Sequence, residues 1–259
     1  VRAIELGMTY LKMPALEKLS DDDIKERIAR VDDERIFVLA ESLRRKIADV
    51  EYIFNVTKID RWFLNKLQNL INIEFELQQG QLDFDLYMRA KKAGFLDATI
   101  TELSGCNIPE NRPLAVYKMV DTCGAEFDAI SPYYYSTYEE ENEARKTDKK
   151  CIVALGSGPI RIGQGIEFDY CSVHCIWALK EAGYDTIIIN NNPETVSTDF
   201  DTSDRLYFEP LTNEEVLNIL EQESPEGVFV QFGGQTAIKL AKYVDQAGYK
   251  IIGTSLENI

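Results

Sequence analysis

The second half of the chain contains short, largely apolar runs that alternate with amphipathic segments. These runs are Cys151–Leu155, Thr186–Asn190, Arg205–Phe208, Gly227–Gln231 and Lys250–Ile252. Strands that are apolar along nearly their whole length are typical of a parallel sheet covered on both faces. Their alternation with helical patterns indicates a doubly wound order. We therefore predict a parallel α/β domain over residues 148–259.

The first part of the chain follows a helical period instead. Between residues 59 and 77, Phe63, Leu67 and Leu70 are apolar among polar neighbours, at helical spacing. Ser20 is followed by three aspartates, a pattern that marks the start of a helix. We predict a helical domain over residues 1–147, and its tyrosine-rich end is predicted to be an exposed connector. The predicted fold class is thus α plus α/β, with the helical domain first.

Charge and composition exclude several functional classes. The net charge of −16 argues against the basic surface that nucleic-acid binding needs. No run approaches the ~20 apolar residues of a membrane-spanning helix. The five cysteines are odd in number and no export signal accompanies them, which favours reduced thiols in a cytoplasmic protein. Because the chain starts at Val1 and ends just after a strand-like run, we expect an internal piece of a longer protein.

Three polar, glycine-bearing loops follow strands of the predicted sheet. They are GSGPIRIGQGIEFDY from residue 156, NNNPETVSTDFDTSD from residue 190 and QFGGQT from residue 231. Parallel strands place such loops at one edge, where ligands bind, and glycine lets backbone N–H groups approach an anion. We expect Glu167 and Glu194 to approach each other there. The candidate ligand-loop residues are Gly156, Gly158, Gly233, Gly234 and Gln235. The alternative is a set of tight turns without a ligand.

Two nucleotide fingerprints and one metal pattern fail on inspection. Arg161 stands where G-x-G-x-x-G needs its third glycine, and Gln164 stands where a P-loop needs lysine. Cys171, His174 and Cys175 form C-S-V-H-C, but no fourth ligand lies nearby, so packing is favoured over zinc. The sequence therefore predicts neither of these nucleotide sites and no metal ligand.

Longer strings carry a resemblance to a known family. RIGQGIEFDY, NPETVSTDFDTSDRLYFEP and QFGGQT resemble the pre-ATP-grasp domain that opens the second half of carbamoyl phosphate synthetase large subunits. Upstream, FNVTKIDRWFL and VYKMVDTCGAEFDAISPYYYSTYEEE resemble the helical oligomerisation domain that joins the two halves. The match covers nearly the whole chain in the family's order. It implies that the sheet domain is Rossmann-like.

The resemblance implies that the parent protein is an ATP-dependent ligase. The family makes carbamoyl phosphate, which feeds arginine and pyrimidine biosynthesis, from bicarbonate, glutamine-derived ammonia and two ATP. Its unstable intermediates pass through a tunnel that excludes water. Its ATP and magnesium (or manganese) sites lie in an ATP-grasp module expected after Ile259, so we expect no cofactor in this chain and no activity from it alone.

The resemblance also implies partners and site residues. The partners are a glutaminase, as small subunit or fused domain, the remaining large-subunit domains, and further copies through residues 1–147; neither nucleic acid nor a membrane is expected. Gly165, Glu167 and Glu194 match family positions near the carbamate passage. The neighbours that complete this predicted edge are Arg161, Gly163, Asn192 and Thr195. Two other interpretations stay open: a nucleotide- or anion-binding α/β module, and a helical interaction scaffold without catalysis.

Overall fold

A computed structural model describes residues 13–128, 130–144, 147–159 and 165–258 of the chain. Two units, Val1–Arg112 and Pro113–Ile259, make most of their contacts internally. Helices precede a mostly parallel sheet. The predicted fold class is confirmed.

The first unit is helical. Its helices are α1 (Pro14–Glu17), α2 (Asp21–Arg27), α3 (Arg35–Arg44), α4 (Val50–Thr57), α5 (Arg61–Leu77), α6 (Phe84–Lys92) and α7 (Asp97–Ser104). Ser20 caps α2 and exchanges hydrogen bonds with Asp23, which confirms the predicted helix start. Helix α5 buries Leu64 and Ile71 in one apolar cluster and Leu77 in a second. One long amphipathic helix thereby joins both parts of the core.

Buried charge pairs fasten these helices to one another. Glu74 of α5 is 0% exposed and accepts hydrogen bonds from Nε and Nη2 of Arg44, at 2.9 and 3.0 Å. Lys91 of α6 is also buried, and its Nζ lies 3.1 Å from Oδ1 of Asp97 at the start of α7. Because an unpaired buried charge costs several kcal/mol, these pairs fix α3 against α5 and α6 against α7.

The second unit is built on a seven-stranded sheet. Its strands are β1 (Val116–Met119), β2 (Tyr133–Thr137), β3 (Cys151–Leu155), β4 (Asp185–Ile189), β5 (Arg205–Tyr207), β6 (Gly227–Phe229) and β7 (Ile251–Ile252), in the order β1-β2-β5-β4-β3-β6-β7. Among the strand pairs of the described residues, only β1–β2 is antiparallel. Helices α8 (Glu167–Glu181), α9 (Asn213–Glu223) and α10 (Gly234–Gln246) connect successive parallel strands. The predicted parallel sheet is confirmed.

The tyrosine-rich segment corrects one expectation. It was predicted to be an exposed connector, but Tyr133–Thr137 forms strand β2, which pairs with β1 on one side and β5 on the other. Tyr134 is 5% exposed, and its ring lies 5.6 Å from the ring of Tyr207. The segment joins the sheet because alternate side chains are buried against β5. The sheet therefore includes residues upstream of the predicted boundary at 147.

A buried charge cluster lies where β4 and β5 begin. Arg205 places Nε and Nη2 at 3.1 and 3.0 Å from the carboxylate of Glu223, at the end of α9, and Nη1 at 3.4 Å from Oδ2 of Asp185. The hydroxyl of Tyr207 donates to the same glutamate. Burial alone would lower the pKa of Arg205, but Glu223 raises it, and the net pKa is above its ordinary value. The guanidinium therefore stays charged and ties α9 to two strands.

Candidate functional site at the carboxyl edge of the sheet

The three polar loops leave neighbouring strands at one edge. Strand β3 lies between β4 and β6 and runs parallel to both. The loops that follow Leu155, Ile189 and Phe229 therefore start side by side, as predicted. In open parallel sheets this is the edge at which ligands bind.

The glycine loop is packed tightly against the second loop. A Cβ atom on Gly156 would lie 2.4 Å from Cγ of Asn190, so only glycine fits there. The Gly156 N–H donates to the carbonyl oxygen of Ile189 at 2.8 Å. Gly158 has a φ of 73° and donates its N–H to Oδ1 of Asn190 at 3.0 Å. Two other predicted site residues, Arg161 and Gly163, lie outside the described residues.

The end of this loop holds Gly165 against Glu167. The Gly165 N–H lies 3.4 Å from Oε1 of Glu167, and a Cβ on Gly165 would lie 2.3 Å from Oε2. Glu167 is the first residue of α8, where the helix dipole favours a carboxylate. Both residues are exposed. The structure thus brings together two of the residues that the sequence predicts.

The second loop carries three predicted site residues in a hydrogen-bonded turn. Oδ1 of Asn192 accepts the Glu194 N–H at 3.1 Å. Oγ1 of Thr198 donates to the carbonyl oxygens of Asn192 and Thr195, at 3.0 and 2.8 Å. Glu194 is exposed. Among the described residues, no Lys or Arg forms an ion pair with its carboxylate.

The connection between α8 and the second loop runs through residues that the sequence did not single out. Both carboxylate oxygens of Asp169 accept the Ser197 N–H, at 3.2 Å each. Asn190 makes the corresponding link to the glycine loop. Short polar residues directly after a strand often fold back on the backbone. That signal could have marked Asn190, whereas the hydrogen bond that joins it to Gly158 could not be read from the sequence.

The third loop contributes close packing. A Cβ on Gly233 would lie 2.5 Å from the carbonyl oxygens of Leu155 and Gly156. Gly234 has a φ of 56°, and a Cβ there would lie 3.1 Å from the ring of Phe168. The two glycines let α10 begin against the end of β3. The remaining predicted residue of this loop, Gln235, is exposed.

The C-S-V-H-C segment lies on α8, apart from these loop contacts. His174 is exposed, with its ring 4.3 Å from that of Tyr170 and 5.2 Å from that of Trp177. Burial raises the pKa of the Cys175 thiol to about 11. Across the described part of the chain, no group of three or more His, Cys, Asp or Glu side chains could hold a metal ion. Nor is any described helix both long and apolar enough to cross a membrane.

Fold and site together define a protein of two units, one helical and one parallel α/β. The candidate site of the α/β unit is the set of three loops at the carboxyl edge of its sheet. Comparison with known families agrees with this division. Residues 148–259 match the family described as the carbamoyl phosphate synthase preATP-grasp domain. Residues 1–118 match the carbamoyl-phosphate synthetase large chain, oligomerisation domain. The chain belongs to the carbamoyl phosphate synthetase large-chain family, a family of ligases.

Proposed function

We propose that this chain is the part of a carbamoyl phosphate synthetase large subunit that joins its two halves. The carboxyl edge of its sheet forms a wall of the carbamate passage and the rim of the second active site. The observation that carries this proposal is the loop edge itself. Glu167 and Glu194 are exposed at the start of α8 and in the adjoining loop, and Asp169 and Ser197 tie those two elements together.

Each element has a chemical role in this proposal. The carboxylates of Glu167 and Glu194 accept hydrogen bonds from the amino group of carbamate or from ammonia. Arg161 supplies the positive charge that attracts the carbamate anion. The glycines at 163 and 165 keep the passage free of side chains. Asn192 and Thr195 fix the turn that carries Glu194. ATP and magnesium or manganese bind in an ATP-grasp module outside this chain. This chain alone therefore has no activity.

The helical unit contacts other copies of the large subunit or its remaining domains. The match to an oligomerisation domain supports this proposal. Trp62 and Phe63 on α5 are each 60% exposed and pack edge to face, with ring centroids 4.9 Å apart. Aromatic residues are enriched at interface cores. The glutaminase partner and a cytoplasmic location follow from the same proposal.

The passage is tested in the complete synthetase, with its glutaminase, by Glu194→Ala. Glutamine hydrolysis and bicarbonate-dependent ATP use should persist, while the yield of carbamoyl phosphate per ATP falls, because the intermediate is lost on its way to the second site. The matched control is Glu181→Ala, an exposed glutamate at the far end of α8. An unchanged yield for Glu194→Ala, or an equal fall for Glu181→Ala, would refute the assignment.

The helical contacts are tested by sedimentation of the Trp62→Ala/Phe63→Ala variant. We expect a shift to a smaller species in the complete synthetase, because the aromatic anchors are gone. The control is Val31→Ala, a position that is 80% exposed on the same unit. An assembly that keeps its size in the double variant would contradict a contact between copies through α5.

A further inference from the structure

The loop that carries Glu194 is fixed at two points, and the first is a single buried amide. Asn190 is 1% exposed. Its Oδ1 accepts the N–H groups of Gly158 at 3.0 Å and Asn191 at 2.9 Å, and the Asn192 N–H lies 3.4 Å away. One side-chain oxygen thus holds the backbones of two loops that are 32 residues apart in sequence.

The glycine loop is shaped to accept this amide. A Cβ on Gly156 would lie 2.7 Å from Cβ and from Nδ2 of Asn190, closer than real atoms approach. Removal of the amide would leave the Gly158 N–H, in a buried position, without its acceptor. The contact is therefore specific to an asparagine-sized acceptor opposite a glycine.

The second fixed point lies at the other end of the loop. The carboxylate of Asp169 accepts the Ser197 N–H with both oxygens. Ser197 and Thr198 are 1% and 3% exposed, so this end of the loop is anchored in the protein. Asp169 lies two residues after Glu167 on α8. Between the two anchors, the turn with Glu194 is exposed.

We infer that Asn190 and Asp169 are positioning residues, which set Glu194 relative to Glu167 and to the glycine loop. Neither is assigned to contact the intermediate. Both act on the backbone of the loop that presents the carboxylate. This inference rests on the proposed function of that edge, and it makes a separate prediction about the loop itself.

The loop is tested by hydrogen exchange of the 259-residue chain, measured on peptides that cover residues 156–159 and 190–198. In Asn190→Ala, exchange in both peptides should rise by about tenfold, the factor that corresponds to one lost hydrogen bond. Strands β3 and β4 should exchange as before. Asp169→Ala should accelerate only the 190–198 peptide. Asn190→Asp keeps an oxygen at the same place, so its protection should stay close to that of the unmodified chain.

The control for general destabilisation is Asp204→Ala. Oδ2 of Asp204 accepts the N–H and Oγ1 of Thr186, both at 2.8 Å, near the start of β4 rather than at its carboxyl end. This variant should leave the loop peptides protected. Unchanged exchange in Asn190→Ala, or an equal rise in Asp204→Ala or Asn190→Asp, would overturn the inference.

The consequence for function is tested in the complete synthetase. Asn190→Ala should lower carbamoyl phosphate formed per ATP severalfold, without a change in the KM for bicarbonate, and Asn190→Asp should restore the ratio. If exchange rises but Glu194→Ala leaves the ratio unchanged, the proposed function fails and the anchor stands. If Glu194→Ala lowers the ratio and Asn190→Ala does not, the positioning inference fails.

Discussion

The buried ion pair between Arg205 and Glu223 provides the sharpest test of what holds the sheet unit together. The two side chains meet through two hydrogen bonds, at 3.1 and 3.0 Å, and both residues are less than 8% exposed (5% and 7%). Removal of one partner of a buried pair leaves an uncompensated charge, which costs about 3–5 kcal/mol. We therefore expect Arg205→Met and Glu223→Leu each to lower the free energy of unfolding by an amount in this range.

The two single variants should differ in a predictable way. In Glu223→Leu, Arg205 keeps Asp185 at 3.4 Å, so the loss should lie near the lower end, about 3 kcal/mol. In Arg205→Met, Glu223 keeps only the hydroxyl of Tyr207 among the groups described above. The second loss should therefore be the larger one.

The double variant decides between a charge pair and simple loss of packing. With both charges replaced by apolar side chains, two penalties remain. The hydroxyl of Tyr207 is left unpaired, which costs about 1–3 kcal/mol, and Asp185 loses Arg205 but keeps its hydrogen bond from Thr147. The double variant should thus be far more stable than the sum of the two single losses predicts. Such a coupling is the signature of groups that interact directly.

Urea unfolding followed by tryptophan fluorescence can measure these losses. The chain has two tryptophans, Trp62 in the helical unit and Trp177 in the sheet unit. In a Trp62→Phe background, Trp177 reports the sheet unit alone. Losses below 1 kcal/mol for both single variants, or additive losses in the double variant, would refute the reasoning.

Three further predictions follow from individual contacts. At pH 8 the Cys175 thiol, with its pKa raised to about 11 by burial, should be alkylated far more slowly than the exposed Cys171, as mass spectrometry of the labelled peptides can show. Gly234→Ala should cost about 1–3 kcal/mol in urea unfolding, because its φ of 56° is strained for alanine. Burial raises the pKa of Asp97, but Lys91, Arg112 and Tyr87 together outweigh burial, and the net pKa lies below its ordinary value. The stabilisation is therefore present above the unfolded pKa and lost as the pH falls through the lower folded pKa, so Asp97→Asn should flatten the acid limb of a stability–pH curve.

The parallel strands could be predicted because their signal is local. Cys151–Leu155 is apolar throughout and is bounded by lysine and glycine, and the structure gives strand β3 over the same residues. The helix start at Ser20 is equally local, since Ser20 and its hydrogen-bond partner Asp23 lie three residues apart. Signals of this kind need no knowledge of the rest of the chain.

The first two strands could not be predicted, because they join the sheet through β5, which is distant in sequence. Tyr117 of β1 packs its ring 4.9 Å from that of Tyr207, and Tyr134 of β2 packs against the same ring. Tyrosines followed by a charged run have the composition of a surface linker. The pairing with β1 and β5 makes the segment a strand, and no local pattern shows that pairing.

The sequence suggests that the glycines of the three loops let a ligand approach the backbone. The structure divides them into two kinds, according to whether the side chain next to the glycine is buried or exposed. A Cβ on Gly156 would collide with the buried Asn190, which cannot move aside, so Gly156→Ala should cost about 1–3 kcal/mol in urea unfolding. A Cβ on Gly165 would collide with the exposed end of the Glu167 side chain, which can rotate into solvent. Gly165→Ala should therefore change stability by less than about 0.5 kcal/mol yet lower carbamoyl phosphate per ATP in the complete synthetase, because the carboxylate is displaced. Equal stability losses in the two variants would show that both glycines serve packing alone.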